Sequence, residues 1–475
     1  MAQPNAVEIV EICTVAPPLP AATDLSPKSL PLTFFDICWT RLPPSERLFF
    51  YEFPFHDHSH SISNTTTFFH SNIIPTLKHS LSLSLHHFLP LVGNLTWPSS
   101  SLKPVLEYTH GDAVPFTIAQ SIDTDFHRLS STDILCKATE IHSLVPKLSV
   151  SHERSAVLAI QVTLFPNIGF CIGISSHHAV VDGKSFTSFL RLWAHVSKSS
   201  SLGGGESPIT LPLELKPSYD QRTPIKDTLG FEEMFSNQWL NIEGPNNRSL
   251  MPTERPIPQD SIRGTFRIPR EKIEKLRQVV NKEEHQLLAQ VSTFSLTCAY
   301  TWVCLVKAEG NSDNKMIALS FAVDCRSRLD PPLPATYFGN CLAGKGVVVE
   351  REVLVGKEGF VFAVNAISGD IKSLENGLVD LTGMEKMVPA LARKETRIVV
   401  PRSYYTIAGS SRFEVYKTDF GWGQPKKVDA VSIDKTGAIC LSDTRDEDGI
   451  EIGLVLNPNH MEVFASLFAE GLQSL

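Results

Sequence analysis

The sequence predicts a mixed α/β protein built from two lobes. Its 475 residues are more than one hydrophobic core ordinarily organises. Segments typical of strands alternate with segments typical of helices in both halves of the chain. A run rich in Ser, Gly and Pro over 197–225, which includes LGGGESP at 202–208, divides the chain into near-equal parts. We therefore expect an N-terminal lobe over 1–196, a linker over 197–225 and a C-terminal lobe over 226–475.

In the first half, two predicted strands and a predicted helix surround a pair of histidines. SAVLAIQVTLF (155–165) and FCIGIS (170–175) are rich in Val, Ile and Phe, and the turn-forming PNIG lies between them, which predicts a hairpin. Apolar residues then recur on one face of a helix, at Phe186, Phe189, Leu190 and Trp193. The stretch SSHHAVVDGKSF (175–186) therefore joins a buried strand to an amphipathic helix.

The second half repeats this order of elements. STFSLTCAYTWVCLVK (292–307) starts with Ser and Thr, which favour a helix start, and MIALSFAVDCRSR (316–328) follows as a strand. GIEIGLVLNPNHMEVFASLF (449–468) gives a strand, a short polar turn and an amphipathic helix, as around residue 178. Two such lobes would leave a cleft between them, which is the usual place for a ligand.

Composition and charge exclude several classes of protein. With 42% hydrophobic residues the chain should fold, and its net charge of −8 disfavours binding to nucleic acid or to an anionic membrane. Nine cysteines are scattered singly, which fits a reducing compartment better than a disulfide framework. The N-terminus carries Glu8 and Glu11 where a signal peptide would need a basic start, and no window is apolar enough to span a membrane. We expect a cytoplasmic protein.

The histidine pair has one catalytic interpretation and several rivals. His178 precedes Asp182 by four residues, and a neutral imidazole in a loop after a strand suits the removal of a proton from a hydroxyl near pH 7. Spacing alone also fits a packed histidine beside an aspartate that caps the helix. Asp182 need not contact the imidazole, and could equally brace the loop by pairing with an arginine from another strand.

Other chemistries fit the sequence less well. Ser175 and Ser176 lack any feature that marks a nucleophile, and no G-x-S-x-G elbow, P-loop or dinucleotide fingerprint is present. Adjacent histidines on extended chain point to opposite faces, so a zinc site at His177 and His178 is not expected. The HDHSH cluster at 56–60 is better explained as a solvated loop than as a metal site.

A second motif gives the sequence a family resemblance. DFGWG at 419–423, together with HHAVVDG at 177–183, resembles the plant BAHD acyltransferases, which transfer acyl groups from coenzyme A thioesters to alcohols or amines. The YFGNC form of a further motif is most similar to the branch of anthocyanin and phenolic-glucoside malonyl- and hydroxycinnamoyltransferases. The likeness extends over nearly the whole chain, through LPLTFFDICW (30–39), LPLVGNL (89–95), VLAIQVTLFPN (157–167), TCAYTWVCLVK (297–307), DCRSRLDPPLPATYFGNC (324–341) and VDAVSID (428–434).

The resemblance implies a fold and a catalytic centre. It implies two similar domains, each like chloramphenicol acetyltransferase, joined by a crossover loop and separated by an active-site channel. It also implies that His178 is the general base and that no acyl-enzyme forms. Asp182 would pair away from the site with Arg326 of the Asp324-Cys325-Arg326 strand, and its role would be geometric.

The resemblance assigns further residues to support and to coenzyme A. Asp419 and Gly423 would be structural, whereas Trp422 could also donate its indole N–H to the oxyanion. Ser292 and Thr293, at a predicted helix start, could contact the pantetheine or phosphate end of coenzyme A. Lys184 could meet the free carboxylate of a malonyl donor or could face solvent.

The expected function is an acyl-CoA-dependent O-acyltransferase that moves an acyl group, most simply malonyl, to a sugar hydroxyl of a flavonoid, an anthocyanin or another phenolic glucoside. Acyl-CoA would be a co-substrate, with no bound cofactor and no metal, and the enzyme would be a monomer. A hydroxycinnamoyl-CoA donor is the alternative within the class. Peptide-synthetase condensation domains share H-H-x-x-x-D-G but would require a carrier module. A non-catalytic relative that binds glucosides or a protein is disfavoured because His178 and Asp182 are both present.

Overall fold

A computed structural model describes most of the chain. It covers residues 7–19, 28–54, 62–201, 211–219, 225–283, 291–310, 315–373, 381, 383–392 and 403–475. The HDHSH cluster at 56–60 lies outside these described residues.

The described strands form three sheets. The first has the order β1-β6-β9-β10-β3-β15, the second β13-β12-β14-β16-β17-β11-β7 and the third β2-β5-β4-β8, with these bounds: β1 Val7–Val15, β2 Lys28–Leu30, β3 Ser45–Glu52, β4 Asn94–Thr96, β5 Val105–Tyr108, β6 Val114–Ser121, β7 Cys136–Lys137, β8 Arg154–Ala156, β9 Leu158–Phe165, β10 Gly169–Ser176, β11 Ile262–Pro269, β12 Met316–Asp324, β13 Leu342–Glu350, β14 Tyr404–Gly409, β15 Lys427–Ala430, β16 Ile439–Asp443 and β17 Gly449–Leu456. Helices accompany the sheets, so the predicted α/β class is confirmed.

The described helices vary from single turns to five turns. Their bounds are α1 Phe34–Ile37, α2 Ile62–Phe68, α3 Ile74–His87, α4 Phe126–Leu129, α5 Gly183–Ser201, α6 Phe231–Leu240, α7 Arg270–Glu283, α8 Thr293–Glu309, α9 Arg351–Val355, α10 Gly359–Lys372, α11 Met387–Leu391, α12 Ile433–Thr436 and α13 Pro458–Gln473. Helices α5, α8 and α13 are those that the sequence predicted after residue 183, after residue 292 and at the end of the chain.

The predicted hairpin is the centre of the first sheet. All eight residues of β9 and all eight of β10 are buried, as their continuous apolar sequence requires. The turn between them places Asn167 at φ 66°, a left-handed conformation that Asn tolerates better than most residues. Helices α3 and α5 cover one face, where the indole N–H of Trp193 donates to the carbonyl of Leu77 at 3.2 Å. This packing fixes the end of β10 and the start of α5, and so fixes the loop between them.

The two large sheets exchange short strands. β15 comes late in the chain but pairs with β3 in the first sheet, with Val428 opposite Phe49. In return, β7 from the first half pairs with β11 of the second sheet. Arg263 of β11 lies 3.3 Å from Asp429 of β15, and both side chains are buried. Buried charge therefore joins the two sheets as well as backbone pairing.

The second sheet has its own core. Helix α8 is apolar on nearly all sides, which is typical of a helix buried all round, and its described residues from Ser295 to Ala308 are almost all buried. The strand predicted over 316–328 is shorter than expected, because it ends at Asp324 and residues 326–328 form a 3₁₀ turn. Residues 197–201 of the predicted linker continue α5, and 202–210 and 220–224 lie outside the described residues. The lobe boundaries stay a prediction.

Candidate active site

His178 lies in the loop that the structure builds between β10 and α5. β10 ends at Ser176, and the backbone N–H of Val180 donates to the carbonyl of His177 at 3.1 Å, which closes the turn. Asp182 then accepts a hydrogen bond from the backbone N–H of Ser185 at 2.9 Å and so caps the first turn of α5. Both ends of the loop are therefore held by regular structure.

The imidazole of His178 packs on Trp39, and the backbone of the same residue is held by Asn340. Trp39 stacks on the ring with centroids 4.4 Å apart and planes 21° apart, and the side-chain amide of Asn340 donates to the His178 carbonyl at 2.8 Å. Nδ1 is buried without a hydrogen-bond partner of regular geometry among the described residues. The residue nevertheless keeps part of its surface exposed. His178 is therefore less enclosed than His177, which is buried.

Burial lowers the pKa of His178. Three smaller effects raise it: a hydrogen bond to the backbone of the same residue, the charge of Asp182 and a hydrogen bond with the Asn340 side chain. The direction favours the neutral imidazole at pH 7, which is the form that can accept a proton.

His177 differs from its neighbour in burial and in hydrogen bonding. It is buried, its Nδ1 accepts from the backbone N–H of Ala179 at 3.2 Å, and burial, assisted by the charge of His178, lowers its pKa to about 3. A histidine with this pKa stays neutral at any physiological pH and acts as part of the packing. Among the described residues no cluster of three or more His, Cys, Asp or Glu side chains could hold a metal ion.

Asp182 forms the ion pair that the resemblance implied. Its Oδ2 lies 2.8 Å from Nη2 of Arg326, and both side chains are at most 1% exposed. The same oxygen accepts from the backbone N–H of Cys341 at 3.3 Å, and Oδ1 accepts from Ser185. Both oxygens are therefore engaged away from the imidazole. Burial alone would lower the pKa of Arg326, but the charges of Asp182 and Asp324 outweigh it and raise the pKa.

The residues of YFGNC wrap around this ion pair. The hydroxyl of Ser185 donates to the carbonyl of Gly339 at 3.0 Å, and Arg326 donates to the same carbonyl at 2.9 Å. Asn340 donates from its backbone and its side chain to Oδ1 of Asp36, at 2.9 and 3.1 Å. Asp36, Trp39 and Asn340 were missed as individual residues by the sequence analysis. The available signal was only that they lie in segments that resemble the family.

Lys184 extends the ion pair toward the surface. Its Nζ lies 2.9 Å from Oδ2 of Asp324, whose other oxygen lies 2.9 Å from Nη1 of Arg326. The Lys184 and Asp324 side chains are 36% and 38% exposed. The lysine is therefore partly solvated and ion-paired, which agrees better with the solvent-facing alternative than with the binding of a donor carboxylate.

Comparisons with known proteins agree with this geometry. A model of the transferase family matches residues 11–470. Malonyl-CoA:anthocyanidin 5-O-glucoside-6''-O-malonyltransferase of Arabidopsis thaliana is 39% identical over 99% of this chain and 99% of its own. Phenolic glucoside malonyltransferase 1 of the same plant is 37% identical over 99% of this chain and 98% of its own.

The chain belongs to the BAHD acyltransferase family. It is an acyl-CoA-dependent O-acyltransferase. The crystal structure of vinorine synthase has a TM-score of 0.67 to this structure, covers 97% of this chain and 98% of its own, and is 21% identical, which shows a shared fold. The fold predicted from the resemblance is confirmed.

The DFGWG motif of this BAHD enzyme forms a turn at some distance from His178. Oδ1 of Asp419 accepts from the backbone N–H groups of Gly421 and Gly423 at 2.8 and 2.9 Å, and Oδ2 lies 2.7 Å from Nζ of Lys198 on α5. Gly423 has φ 97°, which a residue with a side chain rarely adopts. The carboxylate of Asp419 therefore organises the turn and anchors it to α5.

Trp422 packs against the opposite end of β10 from the imidazole. Its ring meets Phe170 edge to face with centroids 5.8 Å apart. Phe170 is the second residue of β10, and the six steps to Ser176 span about 20 Å at the rise of a strand. This placement argues against the suggestion that the indole N–H reaches the oxyanion, and it favours a structural role for Trp422.

The predicted helix start near coenzyme A is present in this BAHD chain. Ser292 is the N-cap of α8, and its Oγ accepts from the backbone N–H of Ser295 at 3.0 Å. Thr293 Oγ1 lies 3.4 Å from Nη2 of Arg277. The capping prediction is confirmed, while contact with coenzyme A stays a prediction. Among the described residues no helix is long and apolar enough to cross a membrane.

Proposed function

We propose that this enzyme transfers a malonyl group from malonyl-CoA to a sugar hydroxyl of an anthocyanin, a flavonoid or another phenolic glucoside, with His178 as the general base. The observation that carries the proposal is the His178 imidazole, which is stacked on Trp39 in the loop between β10 and α5 and belongs to a residue that keeps part of its surface exposed. The malonyltransferase names of the relatives support the donor and the acceptor.

The reaction is a single acyl transfer without an acyl-enzyme. Nε2 of His178 accepts the proton of the acceptor hydroxyl while that oxygen attacks the thioester carbonyl carbon. The tetrahedral intermediate then collapses, the carbon–sulfur bond breaks and the coenzyme A thiolate leaves. The imidazolium returns its proton to the sulfur, so the products are the ester and free coenzyme A, and His178 is again neutral.

Asp182 and Arg326 are positioning residues in this scheme. Asp182 caps α5 through Ser185 and pairs with Arg326 at 2.8 Å, so the loop that presents His178 is held from two directions. Its charge also opposes the effect of burial on the imidazole pKa. A positioned base contributes more to the rate than a mobile one, because the reacting atoms are already in place.

Ser292 and Thr293 are proposed to contact coenzyme A at the N-terminus of α8. The exposed Ser292 and the free backbone N–H groups of a helix start suit a phosphate or an amide oxygen. Lys427 is not a candidate for the phosphates, because it is buried, 3.3 Å from Asp429 and bonded to the Leu129 carbonyl.

We also infer a cytoplasmic monomer with lobes over 1–196 and 226–475 and a linker over 197–225. The single, scattered cysteines support the compartment. Gel filtration and localisation of a tagged chain would test the oligomeric state and the compartment.

The proposed function is tested by thiol release. The enzyme is incubated with malonyl-, coumaroyl- or acetyl-CoA and a set of phenolic glucosides, and the products are analysed by mass spectrometry. We expect malonyl esters of a sugar hydroxyl from the wild-type enzyme and a loss of about 10²- to 10⁴-fold in kcat for His178→Ala. Normal turnover by a folded His178→Ala enzyme would refute the role of His178. Preference for coumaroyl-CoA would establish the hydroxycinnamoyl alternative. No turnover with any donor would favour a binding protein.

A further inference from the structure

Arg47 places a positive charge beside the loop that carries His178. It lies on β3, where it is opposite Ile174 of β10 on one side and Ala430 of β15 on the other. Ile174 precedes His178 by four residues, which extended chain spans in at most about 14 Å. Arg47 therefore lies on the strand next to the one that leads into the His178 loop.

The surroundings of Arg47 are built from the catalytic loop itself. Its guanidinium lies over the rings of Phe186 and Phe413, at 5.8 and 6.0 Å from their centroids. Phe186 is in the first turn of α5, four residues after Asp182. The Phe413 ring lies so close to Gly183 that a Cβ at that position would be 2.6 Å from it. The charge of Arg47 and the His178 loop therefore share neighbours on two elements.

The hydrogen-bonding groups of Arg47 are not used. It makes no ion pair and no hydrogen bond to any residue that the structure describes, and part of its surface stays exposed. Cation–π contacts engage the flat faces of a guanidinium and leave its in-plane N–H donors free for an anion. Burial lowers the pKa of Arg47, so the surroundings do little to compensate its charge.

The carboxylate that acts electrostatically on Arg47 is already committed elsewhere. The charge of Asp443 partly offsets the effect of burial on the pKa of Arg47. Its two oxygens, however, accept the backbone N–H groups of Val415 and Tyr416, at 2.9 and 3.2 Å. Lys184, the cation that the sequence suggested for a donor carboxylate, is paired with Asp324.

We propose that Arg47 binds the free carboxylate of a dicarboxylic acyl donor and so selects malonyl-CoA over neutral acyl-CoA. This inference rests on the proposed acyl transfer at His178. A guanidinium offers two parallel N–H groups to one carboxylate, and the two phenylalanine rings fix its plane. The acyl group of the donor would then lie between Arg47 and the imidazole, with its thioester carbonyl toward Nε2.

The test compares donors in Arg47 variants. kcat/KM is measured for malonyl-CoA and acetyl-CoA with wild type, Arg47→Gln, Arg47→Lys and a control, Arg191→Gln. Arg191 is an exposed arginine of α5 that lies 3.5 Å from Glu414, next to Phe413, so its variant reports on general disturbance of the same region. We expect Arg47→Gln to lose about 10- to 100-fold for malonyl-CoA and less than about threefold for acetyl-CoA. Arg47→Lys should lose less, and the control should not change the donor ratio.

An equal loss for both donors, or no loss for either, would overturn the inference and assign Arg47 to packing alone. If circular dichroism shows that Arg47→Gln does not fold, the ratio of kcat/KM for the two donors in Arg47→Lys tests the inference, since this variant keeps the charge but not the paired donors. A wild-type enzyme that prefers acetyl-CoA would overturn the inference and leave acyl transfer at His178 intact. If no donor is turned over, the proposed function fails, and calorimetry then tests the inference about Arg47 through binding. Arg47→Gln should weaken the binding of malonyl-CoA and not that of acetyl-CoA, and equal weakening of both would refute the inference.

Discussion

Replacing Arg326 with methionine should destabilise the enzyme strongly, because it leaves the buried carboxylate of Asp182 without its counter-charge. Arg326 donates to Asp182 at 2.8 Å, to Asp324 and Gly339 at 2.9 Å and to Ser185 at 3.1 Å. In Arg326→Met, Asp182 would keep only the backbone N–H groups of Ser185 and Cys341. Breaking a buried ion pair by removing one partner costs about 3–5 kcal/mol, and we expect a loss of free energy of unfolding in that range.

A second substitution separates the stranded charge from the lost packing. Asp182→Asn removes the charge but keeps an oxygen that can cap α5, so the double variant Asp182→Asn with Arg326→Met should be more stable than Arg326→Met alone by about 1–3 kcal/mol. Urea unfolding of the four proteins gives the coupling energy. His195→Gln on α5, which lies outside the ion-pair network, serves as the control for a substitution in the same helix.

Additive single effects would refute the ion pair as the element that holds the loop, because two coupled partners give a double variant that differs from the sum of the single variants.

Three further predictions test other parts of the site and its support. Asn340→Ala removes the side-chain hydrogen bonds to the His178 carbonyl and to Asp36 and keeps the backbone bond to Asp36, so we expect a loss of about 1–3 kcal/mol of stability and a lower kcat with little change in KM. Urea unfolding and steady-state kinetics measure these effects, and an unchanged kcat would show that Asn340 does not position the imidazole. Trp422→Phe keeps an aromatic ring against Phe170 and should lower kcat by less than about tenfold in steady-state kinetics. Loss of an oxyanion donor lowers kcat by about 10²- to 10³-fold, so a loss of that size would show that Trp422 stabilises the oxyanion. Burial raises the pKa of Glu451 from 4.5 to about 7; the hydrogen bond from Tyr416 and the charge of Lys427 oppose this shift, and the charges of Asp429 and Asp443 reinforce it. The stability that the protonated carboxyl contributes is therefore present below pH 4.5 and is lost as the pH rises to about 7. In urea unfolding, Glu451→Gln should be more stable than wild type by about 3 kcal/mol at pH 8 and equal to it near pH 4, and an equal difference at both pH values would contradict this assignment.

Local sequence signals predicted the elements that present the catalytic loop. The continuous apolar runs of β9 and β10, the Pro–Asn turn between them and the apolar face after Gly183 gave the hairpin and α5 correctly, because these features depend on residues close in the chain. The strand over 316–328 was predicted too long, since Arg326 leaves the strand to reach Asp182, a contact between residues 144 positions apart that no local pattern records.

The resemblance identified His178, Asp182 and Arg326, and the structure brings the last two together. It also selected His178 over His177, and the structure gives the two residues different burial and different hydrogen-bond partners. It could not place Trp422, because the position of DFGWG along β10 is set by the packing of Phe170 and Phe420 and not by the motif.

The sequence by itself determined the α/β class, the order of strand, loop and helix around the histidines and the membership of the family, since these follow from periodicity, turn residues and motifs that are close in the chain. Only the tertiary structure decided which groups surround the imidazole. Trp39 reaches the imidazole from the segment before β3, and Asn340 reaches the His178 carbonyl from the loop before β13. β15 returns from the end of the chain to pair with β3. Contacts of this kind depend on how distant segments pack, because burial and strand pairing across the sheets, and not local propensity, select them.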